Sequence, residues 1–272
     1  MPLYSESYGV RHDLRWPQPT LVFLHGLLGS GRDWRHVINA LSPHYFCLTI
    51  DLPGHGNSQM LSAADFVQVN QLIHQTLAHR HITSYVLIGY SMGARLAMYH
   101  ATHPYLESSA RLAGMILEGG HFGLPPIECA ARFANDEKWA QRFTRESLGK
   151  VLPDWYQQPV FSSLNHDQRQ SLILKRSDNL GSGVARMLLA TSLAKQPPLQ
   201  EKLAALSLPV LYVCGEQDSK FRRLVEGTAF DYRVIPSAGH NVHVERPHEF
   251  STVINNFVKQ IGIKHGESHK AG

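Results

Sequence analysis

Cysteine is scarce in this chain: three in 272 residues, Cys47, Cys129 and Cys214, far apart and odd in number. They offer neither a disulfide framework nor a metal-ligand spacing. Two of them sit in strand-like runs, so buried reduced thiols are expected and a metal site is not. Long apolar runs are missing too. Without a stretch of about 20 apolar residues the pattern excludes a membrane-spanning helix. The first residues, Met1-Pro2-Leu3-Tyr4-Ser5-Glu6, lack a basic stretch followed by an apolar one. No secretory signal is expected, and the cytoplasm is the expected compartment. Basic runs are also absent: 26 Lys+Arg against 22 Asp+Glu leave a formal charge of +4. That is too mild and too scattered for a nucleic-acid stripe, although it suits an anionic small molecule. Histidine, by contrast, is abundant at 17, so a histidine carries meaning here only through its context.

With 272 residues, 43% of them hydrophobic, the chain can form one large α/β domain or a domain with an inserted subdomain. Apolar runs bounded by turn residues at 20–24, 45–50, 85–88, 112–117, 209–214 and 232–235 read as buried parallel strands. Helical patterns at 34–41, 66–79, 91–103, 221–228 and 247–261 alternate with them, which predicts a doubly wound, mostly parallel sheet. Residues 3–14 are expected to add an antiparallel edge hairpin. The alternation stops after Glu118. From 122 to 196 there are only amphipathic helical stretches, at 127–133, 137–145, 154–164, 168–177 and 185–194, with aromatics and arginines mixed through them. That is too long for a loop and too short for an independent domain. The expected organisation is a core of 1–121 and 197–264, a helical cap of 122–196 and a disordered tail of 265–272. The cap would cover the C-terminal strand ends, where ligands bind in open α/β sheets.

The most informative stretch is Gly89-Tyr90-Ser91-Met92-Gly93, entered from an apolar run and left through Ala94-Arg95-Leu96-Ala97. Strand, G-x-S-x-G, helix is the context of a nucleophile elbow, which lifts a serine hydroxyl to the top of a sheet beside a helix N-terminus. A serine needs a base, and the base needs an orienting acid, in the chain order Ser, Asp or Glu, His. Asp218 lies in Gly215-Glu216-Gln217-Asp218 and His240 in Ser237-Ala238-Gly239-His240-Asn241, each after a predicted strand. Ser91, Asp218 and His240 are therefore the expected triad. Glu118 also ends a strand and could supply the acid, and His243 is a second candidate base. His25, in Leu24-His25-Gly26-Leu27-Leu28-Gly29, is read as a group that shapes a loop. That loop is expected to give one oxyanion donor, the Leu27 amide, and the residue after the nucleophile, Met92, the other. The segment Asp51-Leu52-Pro53-Gly54-His55-Gly56-Asn57-Ser58 reads as architecture, with Ser58 a minor candidate.

These motifs together resemble the α/β-hydrolase superfamily across nearly the whole chain. Within it the sequence is similar to the 2-succinyl-6-hydroxy-2,4-cyclohexadiene-1-carboxylate synthases of menaquinone biosynthesis. The residues that carry the closer resemblance are Leu117-Glu118-Gly119-Gly120-His121, Asp154 to Phe161, Arg176-Ser177, Ala190 to Ala194 and Cys214 to Arg222. The resemblance implies a lyase that eliminates pyruvate from a cyclohexene bearing three carboxylates, with Ser91 as base and no cofactor. It implies that Arg95, Arg132 and Arg176 bind substrate and that Tyr90, Trp155 and Tyr156 line the pocket. Arg95 also stands four residues after Ser91, one helical turn along the same face, and arginine pairs two carboxylate oxygens at once. A monomer acting on a small molecule is expected, with no nucleic-acid or membrane partner. Two other readings share the triad or the fold: a carboxylesterase, thioesterase or carbon–carbon bond hydrolase, and a ligand-binding protein without turnover.

Overall fold

The computed structural model describes residues 1–10, 18–105 and 109–268. Seven strands form one sheet: β1 (Ser5–Tyr8), β2 (Thr20–Leu24), β3 (Cys47–Ile50), β4 (Ser84–Tyr90), β5 (Arg111–Glu118), β6 (Val210–Gly215) and β7 (Asp231–Ile235), in the spatial order β1-β3-β2-β4-β5-β6-β7. All pairs are parallel except β1, which runs antiparallel to β3 at the edge. That edge strand lies within the hairpin expected at 3–14, of which residues 11–14 lie outside the described residues. Side chains alternate between the two faces as a two-residue period demands. Val22, Leu24 and Leu87 enter one apolar layer, and Leu21, Phe23, Val86 and Ile88 the opposite one.

The first layer is closed by α2 (Phe66–His79) and α3 (Met92–Thr102), the second by α1 (Arg35–Leu41) and α11 (Pro247–Ser268). The order reverses between β2 and β4: β3 lies on one side of β2, and the chain then crosses to β4 on the other. Such a switch point opens a crevice at the strand ends. Leu24 faces Gly89 across it, so the loops leaving β2 and β4 emerge side by side.

Between β5 and β6 the chain is helical: α4 (Pro126–Arg145), α5 (Leu148–Trp155), α6 (His166–Arg176) and α7 (Gly181–Ala190), followed by the short α8 (Gln200–Ala204). These helices have their own apolar centre, with Phe143, Val151, Leu152 and Leu188, and Leu28 of the β2 loop packs into it. Two details differ from the sequence pattern. The stretches at 127–133 and 137–145 are one continuous helix, because Asp136 between them is buried and bonded by Arg132 and Ser192. The stretch at 154–164 is not a helix. α5 ends at Trp155 and a single 3-10 turn, Pro159–Phe161, follows, since proline holds Gln158 before it in extended backbone. Helix α11 runs to Ser268, into the segment expected as a tail; residues 269–272 lie outside the described residues. Cys47 and Cys214 are buried, whereas Cys129 on α4 is only half-buried. Among the described residues no helix is long and apolar enough to cross a membrane.

Candidate active site

Ser91 joins β4 to α3 with φ 50° and ψ −106°, a strained backbone that non-glycine residues seldom adopt. The turn is tight enough to dictate its flanks. A Cβ at position 89 would lie 2.4 Å from the Gly93 carbonyl oxygen, and one at position 93 would lie 2.2 Å from that of Leu24. Only glycine fits at either place. The Ser91 N–H donates to the Glu118 carbonyl at 2.8 Å, which ties the elbow to the end of β5.

His240, in the loop after β7, donates from Nδ1 to Asp218 Oδ2 at 2.7 Å, with both side chains 4% exposed. Asp218 is also the N-cap of α9 (Ser219–Glu226), where its Oδ1 accepts the Phe221 N–H. With Nδ1 committed, Nε2 of His240 is the nitrogen free to exchange a proton. Ser91 and His240 line one cavity of about 320 Å³ between the strand ends and the cap. Larger cavities of about 690 and 920 Å³ hold neither residue. Glu118 does not compete for His240. Its carboxylate accepts instead from His243, from Nδ1 at 2.9 Å and from the backbone N–H at 3.1 Å. The ring of Tyr90 lies between the two imidazoles, 5.2 Å from His240 and 4.7 Å from His243.

Leu27 and Met92 line the same cavity, and among the described residues neither amide donates to another group. Two histidines fix the Leu27 loop. The Leu52 N–H donates to His25 Nε2 at 2.9 Å while His25 Nδ1 faces the Gly26 carbonyl at 2.7 Å. The Leu28 N–H donates to His55 Nε2 at 2.9 Å while His55 Nδ1 faces the Pro53 carbonyl at 2.9 Å. Each ring therefore carries its proton on Nδ1 and is neutral. Burial pushes His25 down to about 4, and burial with the neighbouring His25 pushes His55 down to about 3. Leu28 itself sits at φ 67°. His25 thus shapes the loop, and Ser58 is a buried structural hydroxyl that accepts the Tyr4 N–H.

Of the expected binding residues, Arg95, Arg132 and Trp155 line the cavity. Arg95 donates to the Thr191 carbonyl at 2.7 Å; burial, and then the charge of Arg132, lower it to about 9, so it remains a cation. Arg132 is held through Nε by Asp136 at 2.9 Å. Three of the expected binding residues are not among those that line the cavity. Arg176 does not line the cavity: it is buried, with both terminal nitrogens on Asp33 at 2.7 and 2.8 Å. Tyr156 packs on Phe161 in the cap centre and is buried, outside the cavity lining. Tyr90 is buried between the histidines, its hydroxyl donating to Asn241 Oδ1. The cavity adds residues to which the sequence assigns no role: His121, Phe161, Lys220 and Phe221, all within the runs that carry the closer resemblance, and Trp139 outside them. His121 and Lys220 each follow a strand end that carries a motif residue, Glu118 and Asp218, and that position was the available signal. Among the described residues no cluster of His, Cys, Asp or Glu could hold a metal ion.

A serine elbow between strand and helix, with a histidine paired to an aspartate on the same crevice, points to the α/β-hydrolase class. The family model described as alpha/beta hydrolase fold matches residues 19–247, and the chain belongs to that family. Two relatives are more specific. A 2-succinyl-6-hydroxy-2,4-cyclohexadiene-1-carboxylate synthase of Klebsiella pneumoniae is 49% identical over 230 residues, 84% of this chain and 89% of the relative. One of Serratia proteamaculans is 44% identical over 246 residues, 90% of this chain and 95% of the relative. Within the α/β-hydrolases the chain therefore belongs to the family of these synthases. Among solved structures, MenH from S. aureus superposes with a TM-score of 0.85 at 27% identity, covering 94% of this chain and 98% of that one. A thermophilic esterase from Thermogutta terrifontis shares the fold at 23% identity and a TM-score of 0.79.

Proposed function

We propose that this chain is a carbon–oxygen lyase that eliminates pyruvate from 2-succinyl-5-enolpyruvyl-6-hydroxy-3-cyclohexene-1-carboxylate to give 2-succinyl-6-hydroxy-2,4-cyclohexadiene-1-carboxylate. The observation that carries this reading is the charge of the cavity: Arg95 and Arg132 stand in the space that holds Ser91 and His240. A neutral ester would gain nothing from them, whereas a tricarboxylate needs fixed cations. Ser91 Oγ, deprotonated by His240 Nε2, takes the ring proton alpha to the succinyl ketone. The enolate oxygen that forms is met by the Leu27 and Met92 amides, contributing roughly 3 kcal/mol each. The electron pair moves through the ring double bond and breaks the carbon–oxygen bond to the enolpyruvyl group, which leaves and is protonated to pyruvate. Asp218 holds the His240 tautomer and stabilises its charged form. Trp155 supplies an apolar wall for the ring. As written, the step uses no metal or cofactor and forms no acyl-enzyme. We place the protein in the cytoplasm, acting as a monomer on this small molecule without nucleic-acid or membrane partners.

The test is a coupled assay for pyruvate with the enolpyruvyl substrate, run beside a p-nitrophenyl ester. Pyruvate release is expected from the wild type, with turnover lowered about 10³-fold or more in Ser91→Ala. Ester cleavage without pyruvate release would make the protein a hydrolase.

A further inference from the structure

One cation in the catalytic cavity has no role so far. Lys220 stands two residues beyond Asp218, in the first turn of α9, and lines the cavity with Arg95 and Arg132. Among the described residues it forms no ion pair. Burial, and then the charge of Arg132, push its ammonium below the usual value. His121 lies in the field of all three cations: burial first, then Lys220, Arg95 and Arg132, bring it down to about 4. Gln196 fixes this corner, accepting from Arg95 at 3.4 Å and donating to the His121 carbonyl at 2.7 Å. At pH 7 the His121 ring is neutral. Its Nδ1 accepts the Gly123 N–H at 3.2 Å, so the proton is on Nε2, which has no acceptor among the described residues.

Among the described residues the one carboxylate lining this space is Asp136, already bonded to Arg132 and Ser192. Cations that outnumber the carboxylates lining a cavity repel one another, and an entering anion relieves that repulsion. The substrate proposed above has three carboxylates. Arg176 is paired through both terminal nitrogens with Asp33 and is not among the residues that line this space. We propose that Lys220, with the His121 Nε2–H beside it, forms a carboxylate subsite of the catalytic cavity and takes the third carboxylate of the substrate. The assignment rests on the tricarboxylate reading of the reaction. A lysine suits a carboxylate that changes place during the reaction, because its ammonium is a point charge on a flexible stem.

Titration calorimetry of the full chain with propane-1,2,3-tricarboxylate tests the subsite without turnover. Steady-state kinetics of pyruvate release test it in the reaction. Lys220→Met and Lys220→Gln are each expected to bind the tricarboxylate about tenfold or more weakly, and to raise KM by a similar factor with kcat within about threefold. Equal affinity in wild type and both variants overturns the subsite, as does a wild type that does not bind the tricarboxylate. So does a fall in kcat with KM unchanged. A wild type that binds the tricarboxylate through Lys220 but releases no pyruvate would overturn the reaction and leave the subsite standing.

Discussion

A guanidinium that grips a buried carboxylate with both terminal nitrogens forms an ion pair that is costly to break. Arg176 is in that state. Burial alone would raise the Asp33 carboxyl, but the charge and hydrogen bonds of Arg176 outweigh it and hold the carboxyl below its ordinary value. Removing one partner strands the other in the interior. Arg176→Ala is therefore expected to lose about 3 kcal/mol or more of stability in urea unfolding. In a binding role the same variant would instead raise KM with stability unchanged. The pair anchors α6 of the cap to the loop that precedes α1. The family resemblance could nominate Arg176, but nothing along the chain shows Asp33, 143 residues away. The choice between Glu118 and Asp218 has the same character. Both end strands, and only the fold shows that Glu118 serves His243 and Asp218 serves His240.

At the scale of elements, the strand ends are crowded to the point where one methyl group matters. Gly119 follows β5 with φ 58°, and a Cβ there would lie 2.7 Å from Cε1 of His240. Gly119→Ala is expected to displace the imidazole and lower kcat about 10²-fold, since errors near 1 Å in catalytic geometry have that effect. Circular dichroism should show the fold retained; an unchanged kcat would mean that the His240 loop yields freely. The elements themselves were largely legible. β2 and α2 lie where the pattern placed them, at Thr20–Leu24 and Phe66–His79, because buried strands and long amphipathic helices have distinct periods. The cap was read less well. Its helices bury their faces against one another and Leu28, and packing of that kind overrides local signals such as Asn135-Asp136 in mid-helix.

Across the whole molecule, the crevice between β2 and β4 is held open by loops whose amides rest on neutral histidines. His25 and His55 titrate near 4 and 3 in the fold, below the ordinary 6.5. Between about pH 6.5 and 4 the unfolded chain consequently binds more protons than the folded one. Stability is complete above that window and falls on acidification through it, by up to ~1.4 kcal/mol per pH unit for each ring. Unfolding midpoints measured from pH 7.5 to 4.5 should fall accordingly; a flat profile would contradict the tautomers assigned here. The sequence places His55 only in an architectural loop, and nothing local distinguishes it from the other histidines. The sequence by itself determined the α/β alternation, the serine elbow, and the order Ser91, Asp218, His240, since periodicity and glycine-bounded turns are local properties of the chain. Tertiary structure decided which cations share space with the serine, which carboxylate each histidine meets and which groups stand behind the wall. Those are distances between residues far apart in the chain, set by how the cap packs on the sheet, and no spacing along the chain encodes them.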